Sequence, residues 1–332
     1  MATDSKIMAR AMQQYRQDVQ RRKEEYLARL DAIYRRLPRV EEITQELRGT
    51  AGQIVAAAFH RGTNPTSVIA ALKEHNLALQ RERAELLVQG GYPFDALEEK
   101  PACPRCNDSG YDAVGPCRCL MAYYTREQNK ELSKLLDLGS QSFDTFSMHW
   151  YTNCFWPEYQ ASPRENMEVI YDICANYAHN FSRHKDNLLM TGKPGLGKTF
   201  LSACIAREVS EKGFSVVYDT AIHVFSQFES SKFGRENPYD EDSGSDINRC
   251  LNCDLLIMDD LGAEMPSAFV TSAFYQLINT RLMTGKRTIV STNLTLGEIE
   301  KRYGAAVASR LGGEYQLLTF FGDDIRQLKR NQ

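Results

Sequence analysis

The chain has 332 residues, 42% of them hydrophobic and 25% charged, with a formal net charge of −3. That length allows two or three compact units, and so slight an acidity gives no global attraction to nucleic acid, so any DNA contact has to be local. The opening MATDSKIMARAMQQYRQD lacks the apolar run of a signal peptide and IVAAAF is too short to cross a bilayer; a cytoplasmic protein with no membrane partner is expected.

In chain order, residues 5–37 carry Met12, Tyr15, Val19, Tyr26, Leu27, Leu30, Ile33, Tyr34 and Leu37 in a helical stripe that Pro38 ends. Further helices are expected around 40–59 and 65–88, the second capped by Asn64 with Pro65 in its first position. A polar surface around such a stripe suits a helical bundle that meets a protein partner better than DNA. Gly90-Gly91-Tyr92-Pro93 breaks the pattern. The expected organisation is a helical partner-binding domain at 1–95, a cysteine module with a linker helix at 96–142, and a nucleotide-binding domain at 143–332.

Four of the nine cysteines, Cys103, Cys106, Cys117 and Cys119, follow C-x2-C-x10-C-x-C, with glycines in the intervening loop. Two close thiolate pairs can close a tetrahedron around Zn2+, which a reducing compartment favours over disulfides; an iron–sulfur cluster or unliganded thiols are the alternatives. Residues 96–122 are too few to bury a core, so such a segment would depend on the metal for its fold. Cys250 and Cys253 have no second pair and read as core residues, as do Cys154, Cys174 and Cys204.

After the aromatic SFDTFSMHWY comes an amphipathic helix with Met167, Ile170, Tyr171, Cys174, Tyr177 and Phe181, then strands alternating with helices as a parallel α/β sheet requires. NLLMTGKPGLGKTFLSACIAREV reads as strand, glycine-rich loop and helix and fits G-x-x-x-x-G-K-[ST]. Its Gly192, Gly195 and Gly197 let backbone N–H groups curl around phosphates in a nucleotide-binding loop that also contains Pro194, Lys198 can reach the β and γ phosphates of ATP, and the Thr199 hydroxyl can ligate Mg2+. DLLIMDDLGAE then ends a buried strand in two acids. Asp259 suits a metal contact through water and Asp260 the activation of the attacking water, with Glu264 as a substitute. Asn293 ends a third strand, KRTIVSTN, within reach of a γ-phosphate or water; Arg310 and Arg326 follow.

The order GKPGLGKT, LLIMDDLG, STN, SRL and DIRQLK resembles the AAA+ ATPases of the DnaC and DnaI helicase-loader type, with IstB-like transposition helpers as close relatives; the resemblance covers about 143–330. It implies a P-loop core with a parallel sheet flanked by helices, in which Arg310 is a finger for a neighbouring subunit's ATP site and Arg326 a second sensor. Hydrolysis would then need self-association through the ATP site. Only six residues follow Arg326, so no C-terminal lid is expected. The resemblance also implies that the segment between the two nucleotide motifs holds single-stranded DNA, where Phe225, Phe228, Lys232, Phe233 and Arg235 interleave aromatics with cations. A packed amphipathic helix followed by an acidic loop is the alternative there. DnaI-like loaders carry an N-terminal zinc domain that binds the replicative helicase, a DnaB-type hexamer. The implied function is a slow ATPase, stimulated by DNA or partner, that loads this helicase onto single-stranded DNA. An IstB-like helper on duplex DNA, or an adaptor that binds ATP without turnover, are the rivals.

Overall fold

The computed structural model describes residues 3–59, 65–138, 140–183, 186–233 and 243–330, with side chains outside 51–69 and 232–245. Asn64 and Arg235, and the side chains of Lys232 and Phe233, lie outside the described residues. The chain divides into two compact units, residues 13–117 and residues 1–12 with 118–332. That division does not fall at 95 or 142.

The first helix, α1 (Ser5–Arg36), gives way to α2 (Pro38–Phe59) because proline disfavours helical geometry in the residue before it while fitting the first turn of the helix it opens. With α3 (Pro65–Gln89) it buries Ile33, Val40 and Leu87, against which Tyr34, Leu37 and Tyr92 pack. Leu27 departs from the expected stripe, being 53% exposed. Arg39 near the start of α2 bonds Glu82 near the end of α3 at 2.9 Å, so the two helices run antiparallel. Beyond them, β1 (Tyr111–Asp112) and β2 (Gly115–Pro116) form a small antiparallel hairpin within the cysteine segment.

In the second unit the Asp4 carboxylate accepts the N–H groups of Lys6 and Ile7 (2.9 and 3.1 Å), a cap for the start of α1. Its own N–H donates to the Tyr124 hydroxyl of α4 (Arg118–Leu132) at 3.0 Å. The helix expected from its apolar spacing, α5 (Pro163–His179), starts with a Ser162/Glu165 capping box and buries Met167, Ile170, Cys174 and Tyr177.

The remaining elements alternate: β3 (Asn187–Thr191), α6 (Lys198–Glu211), β4 (Val216–Thr220), α7 (Ala221–Phe233), α8 (Ser243–Asn252), β5 (Leu255–Leu261), α9 (Ala268–Met283), β6 (Arg287–Thr292), α10 (Leu296–Tyr303), α11 (Ala305–Glu314), β7 (Tyr315–Thr319) and α12 (Ile325–Arg330). The five strands β3 to β7 form one parallel sheet in the order β4-β5-β6-β3-β7. Both faces are covered by helices, so the central strands are continuous apolar runs rather than alternating ones. The start of the β4 edge is capped by one side chain. Fully buried Gln128 of α4 accepts the Val216 N–H at 3.1 Å and donates to the Phe214 carbonyl at 2.8 Å, the two bonds a neighbouring strand would make.

Two cysteine expectations separate here. Cys174, Cys204, Cys250 and Cys253 are buried, while Cys154 lies exposed in the loop before α5, where apolar neighbours in sequence do not become neighbours in space.

Candidate nucleotide-binding site

The glycine-rich loop joins β3 to α6 beside a cavity of about 450 Å3. Its conformation needs its glycines. Gly192 has φ +144° and abuts Phe320, so a side chain there would enter the Phe320 backbone. Gly197 caps α6 with φ +96°, and a Cβ on it would lie 2.6 Å from the Tyr151 hydroxyl, which is anchored on the Leu196 carbonyl at 3.1 Å. Lys198 is 8% exposed, and its ammonium donates to the carbonyls of Gly192 (2.5 Å) and Lys193 (2.9 Å). Burial lowers its pKa, and only the charges of Asp259 and Asp260 oppose that. A buried cation at a helix N-terminus, within a backbone that tolerates no Cβ, fits a phosphate chain.

At the end of β5 the two acids part company. Asp259 is buried at 3% exposure and its carboxylate is saturated with donors. Thr199 donates to its Oδ2 at 3.0 Å and Tyr218 to the same oxygen at 2.5 Å, while Oδ1 accepts from the Ser291 hydroxyl and from the Asp260 N–H at 3.0 Å. The β5–β6 register slips by one residue between Met258 and Leu261, and within that bulge Asp260 takes φ +53°. In an unbroken strand successive side chains would face opposite sides of the sheet; the bulge re-aims Asp260 so that it lines the cavity. Partial burial, followed by the nearby charge of Asp259, raises its pKa. The hydroxyl of Thr199 against the carboxylate of Asp259 is a donor set that suits Mg2+.

The other expected residues distribute as follows. Pro194 and Gly195 line the cavity, as does Arg326 of α12, whose charge acts on both Lys198 and Asp260. Asn293 is exposed just past β6, beside Gly262. Arg310 is half-buried on α11 and does not line this cavity. Glu264 is removed from contention as a base: it is 6% exposed, accepts the Gly262 N–H at 3.0 Å and is held by Tyr303 and Arg302. Phe225 and Phe228 correct the nucleic-acid expectation. They are 3% and 7% exposed within the core beneath α7, with Phe225 edge-on to Phe274, so neither offers a ring face to a base.

Sequence reasoning missed the cavity's aromatic wall. Phe146, Trp150 and Tyr151 line it, with Phe146 stacked on Tyr151 at 5.9 Å and the Lys329 ammonium 5.3 Å from the Trp150 ring. The signal was the density of aromatics in SFDTFSMHWY, but only the fold brings that segment against the loop.

The four cysteines converge as well. Their Sγ atoms all lie within 4.8 Å of one another, and Cys103 and Cys117 are 3.8 Å apart. Tetrahedral Zn–S bonds of about 2.3 Å place sulfurs about 3.8 Å apart, so the donor set fits zinc. Asp108 orients the first pair by accepting the N–H groups of Ala102 and Cys103 at 3.0 and 2.9 Å, and Cys117 donates its N–H to the Gly110 carbonyl at 2.8 Å.

The site-bearing residues are similar to those of known proteins. Residues 166–311 match the family described as IstB-like ATP binding protein. The replicative helicase loader DnaC of Buchnera aphidicola subsp. Baizongia pistaciae is 28% identical over 53% of this chain and 71% of its own length. DnaC of Escherichia coli K12 is 26% identical over 48% of this chain and 64% of its own. Among solved structures, a crystal structure of the DnaC helicase loader is 20% identical with a TM-score of 0.45, covering 56% of this chain and 99% of that one. The nucleotide-binding part of this chain is thus similar to the IstB-like ATP-binding proteins and to the DnaC helicase loaders.

Proposed function

We propose that the protein is an ATPase that binds a replicative helicase and places it on single-stranded DNA, with the state of the nucleotide governing grip and release. The observation that carries the ATPase part is the Thr199–Asp259 hydrogen bond, which joins the phosphate loop to the end of β5. Support for the helicase part is that the similar proteins quoted above are named replicative helicase loaders.

In this reading Lys198 exchanges the loop carbonyls for phosphate oxygens, and Gly195, Leu196 and Gly197 turn their N–H groups to the same anion. Phe146 and Trp150 take the base by stacking. Thr199 and Asp259 would hold Mg2+, which would supply charge neutralisation for the phosphates. Asp260, at the cavity surface, accepts the proton of the attacking water, and Asn293 orients that water. Arg326 stabilises charge from its own subunit, and Arg310 does so for a neighbour, which makes turnover depend on self-association. The four cysteines hold zinc, and the N-terminal helices meet the helicase in the cytoplasm.

A second reading is favoured by the IstB-like description of residues 166–311: a transposition helper acting on duplex DNA. Phosphate release by the full chain, measured alone, with single strands, with duplex and with a hexameric replicative helicase, separates the two. Stimulation by helicase and single strands that disappears in Arg310→Ala supports the loader. Stimulation by duplex alone favours the helper, and no turnover in any condition removes the ATPase.

A further inference from the structure

The carboxylate at the end of β5 accepts from a donor to which the phosphate-loop motif gives no role. Tyr218 lies on β4, which runs parallel to β5 with Thr220 opposite Asp259 and Tyr218 opposite Ile257. Side chains on a strand repeat every two residues, so Tyr218 shares the face of Thr220 and Asp259, and lies about 6.6 Å back along the strand. A tyrosine side chain spans that distance. Its hydroxyl accordingly ends on Asp259 Oδ2 at 2.5 Å, in a place where the tyrosine is 8% exposed.

The second donor to that oxygen is Thr199, whose hydroxyl the proposed function requires at the metal. A hydroxyl that gives an oxygen lone pair to a cation keeps its proton and still donates to Oδ2. Thr199 therefore holds Oδ2 from the phosphate loop and Tyr218 holds it from the edge strand, outside the loop, while Ser291 and the Asp260 N–H fix Oδ1 from β6 and from the bulge. We propose that Tyr218 is a positioning residue for the metal-facing carboxylate, setting the direction of Asp259 Oδ2 from the edge strand. The inference rests on the nucleotide reading above. Partners of this kind commonly control metal affinity by about 10-fold or more when removed.

The test is Tyr218→Phe in the full chain, which keeps the ring and removes the donor. Binding of a fluorescent ATP analogue is titrated first without divalent metal and then against Mg2+ and Mn2+, with melting temperature as the check on folding. The expected result is unchanged metal-free affinity with about 10-fold more metal needed for half-maximal tightening. Equal metal requirements in wild type and variant overturn the inference, as does a loss confined to metal-free binding or to stability. If the wild type ignores metal altogether, the nucleotide reading itself fails, and that outcome is visible before any variant is made. Tyr218→Leu, which also lacks the donor, replaces the phenylalanine variant if that does not fold.

Discussion

Replacing Asp260 by Asn tests the proposed chemistry with little collateral damage, because the structure isolates this carboxylate. The residue sits at φ +53°, a left-handed conformation that asparagine adopts as readily as aspartate. Its N–H bonds to Asp259 Oδ1 and to the Ser291 hydroxyl at 3.3 Å are backbone bonds that survive the change. The side chain makes no hydrogen bond or ion pair among the described residues, so no packing partner is lost. What disappears is a proton acceptor at the cavity surface, and a positioned general base contributes about 10²- to 10⁴-fold to a rate. That corresponds to about 2.7–5.5 kcal/mol of barrier. Asp260→Ala would confound the result, since a left-handed alanine adds about 1–2 kcal/mol of backbone cost. The assay is single-turnover phosphate release alongside binding of a fluorescent ATP analogue. A rate reduced by two to four orders of magnitude with unchanged binding is expected. A variant within threefold of wild type would refute Asp260 as the base and return the search to another acceptor at the cavity.

Three further outcomes are expected. Arg281, fully buried, donates to the carbonyls of Cys250 (2.6 Å), Leu251 and Cys253 (both 3.2 Å) and to the Thr288 hydroxyl (2.9 Å); Arg281→Met leaves those acceptors unsatisfied and should cost about 3–5 kcal/mol in urea unfolding, whereas a loss below 1 kcal/mol would mean the site rearranges. Trp150→Ala should weaken ATP binding by about 5- to 150-fold, the worth of one stacked base, while leaving inhibition by inorganic triphosphate unchanged. Purified protein should carry about one zinc per chain by elemental analysis, and Cys103→Ser should lose it; full occupancy in that variant would count against the four-cysteine site.

Much of the site could be read in one dimension because its chemistry is local. The P-loop works through consecutive backbone N–H groups, one lysine and one threonine, so Gly192 to Thr199 announce it by spacing alone. The two acids of β5 were legible for the same reason, since a buried apolar run ending in carboxylates has few other uses. The cysteine spacing likewise foretold convergent thiolates, because short loops between pairs limit where they can go.

Pairwise spatial relations were not legible. Which of two adjacent acids is sunk under four donors and which faces the cavity depends on a one-residue slip between β5 and β6. Whether Glu264 is free depends on Tyr303 and Arg302, about forty positions away. Phe225 and Phe228 look like a stacking platform in sequence, and become core because α7 turns that stripe onto the sheet. Phe146 and Trp150 reach the phosphate loop, and Tyr218 reaches Asp259, only through the packing of α5 and the strand order β4-β5-β6-β3-β7. Sequence determines which groups can bind a phosphate or a metal; the parallel sheet decides which of them meet, because its register sets side-chain neighbours that chain distance does not.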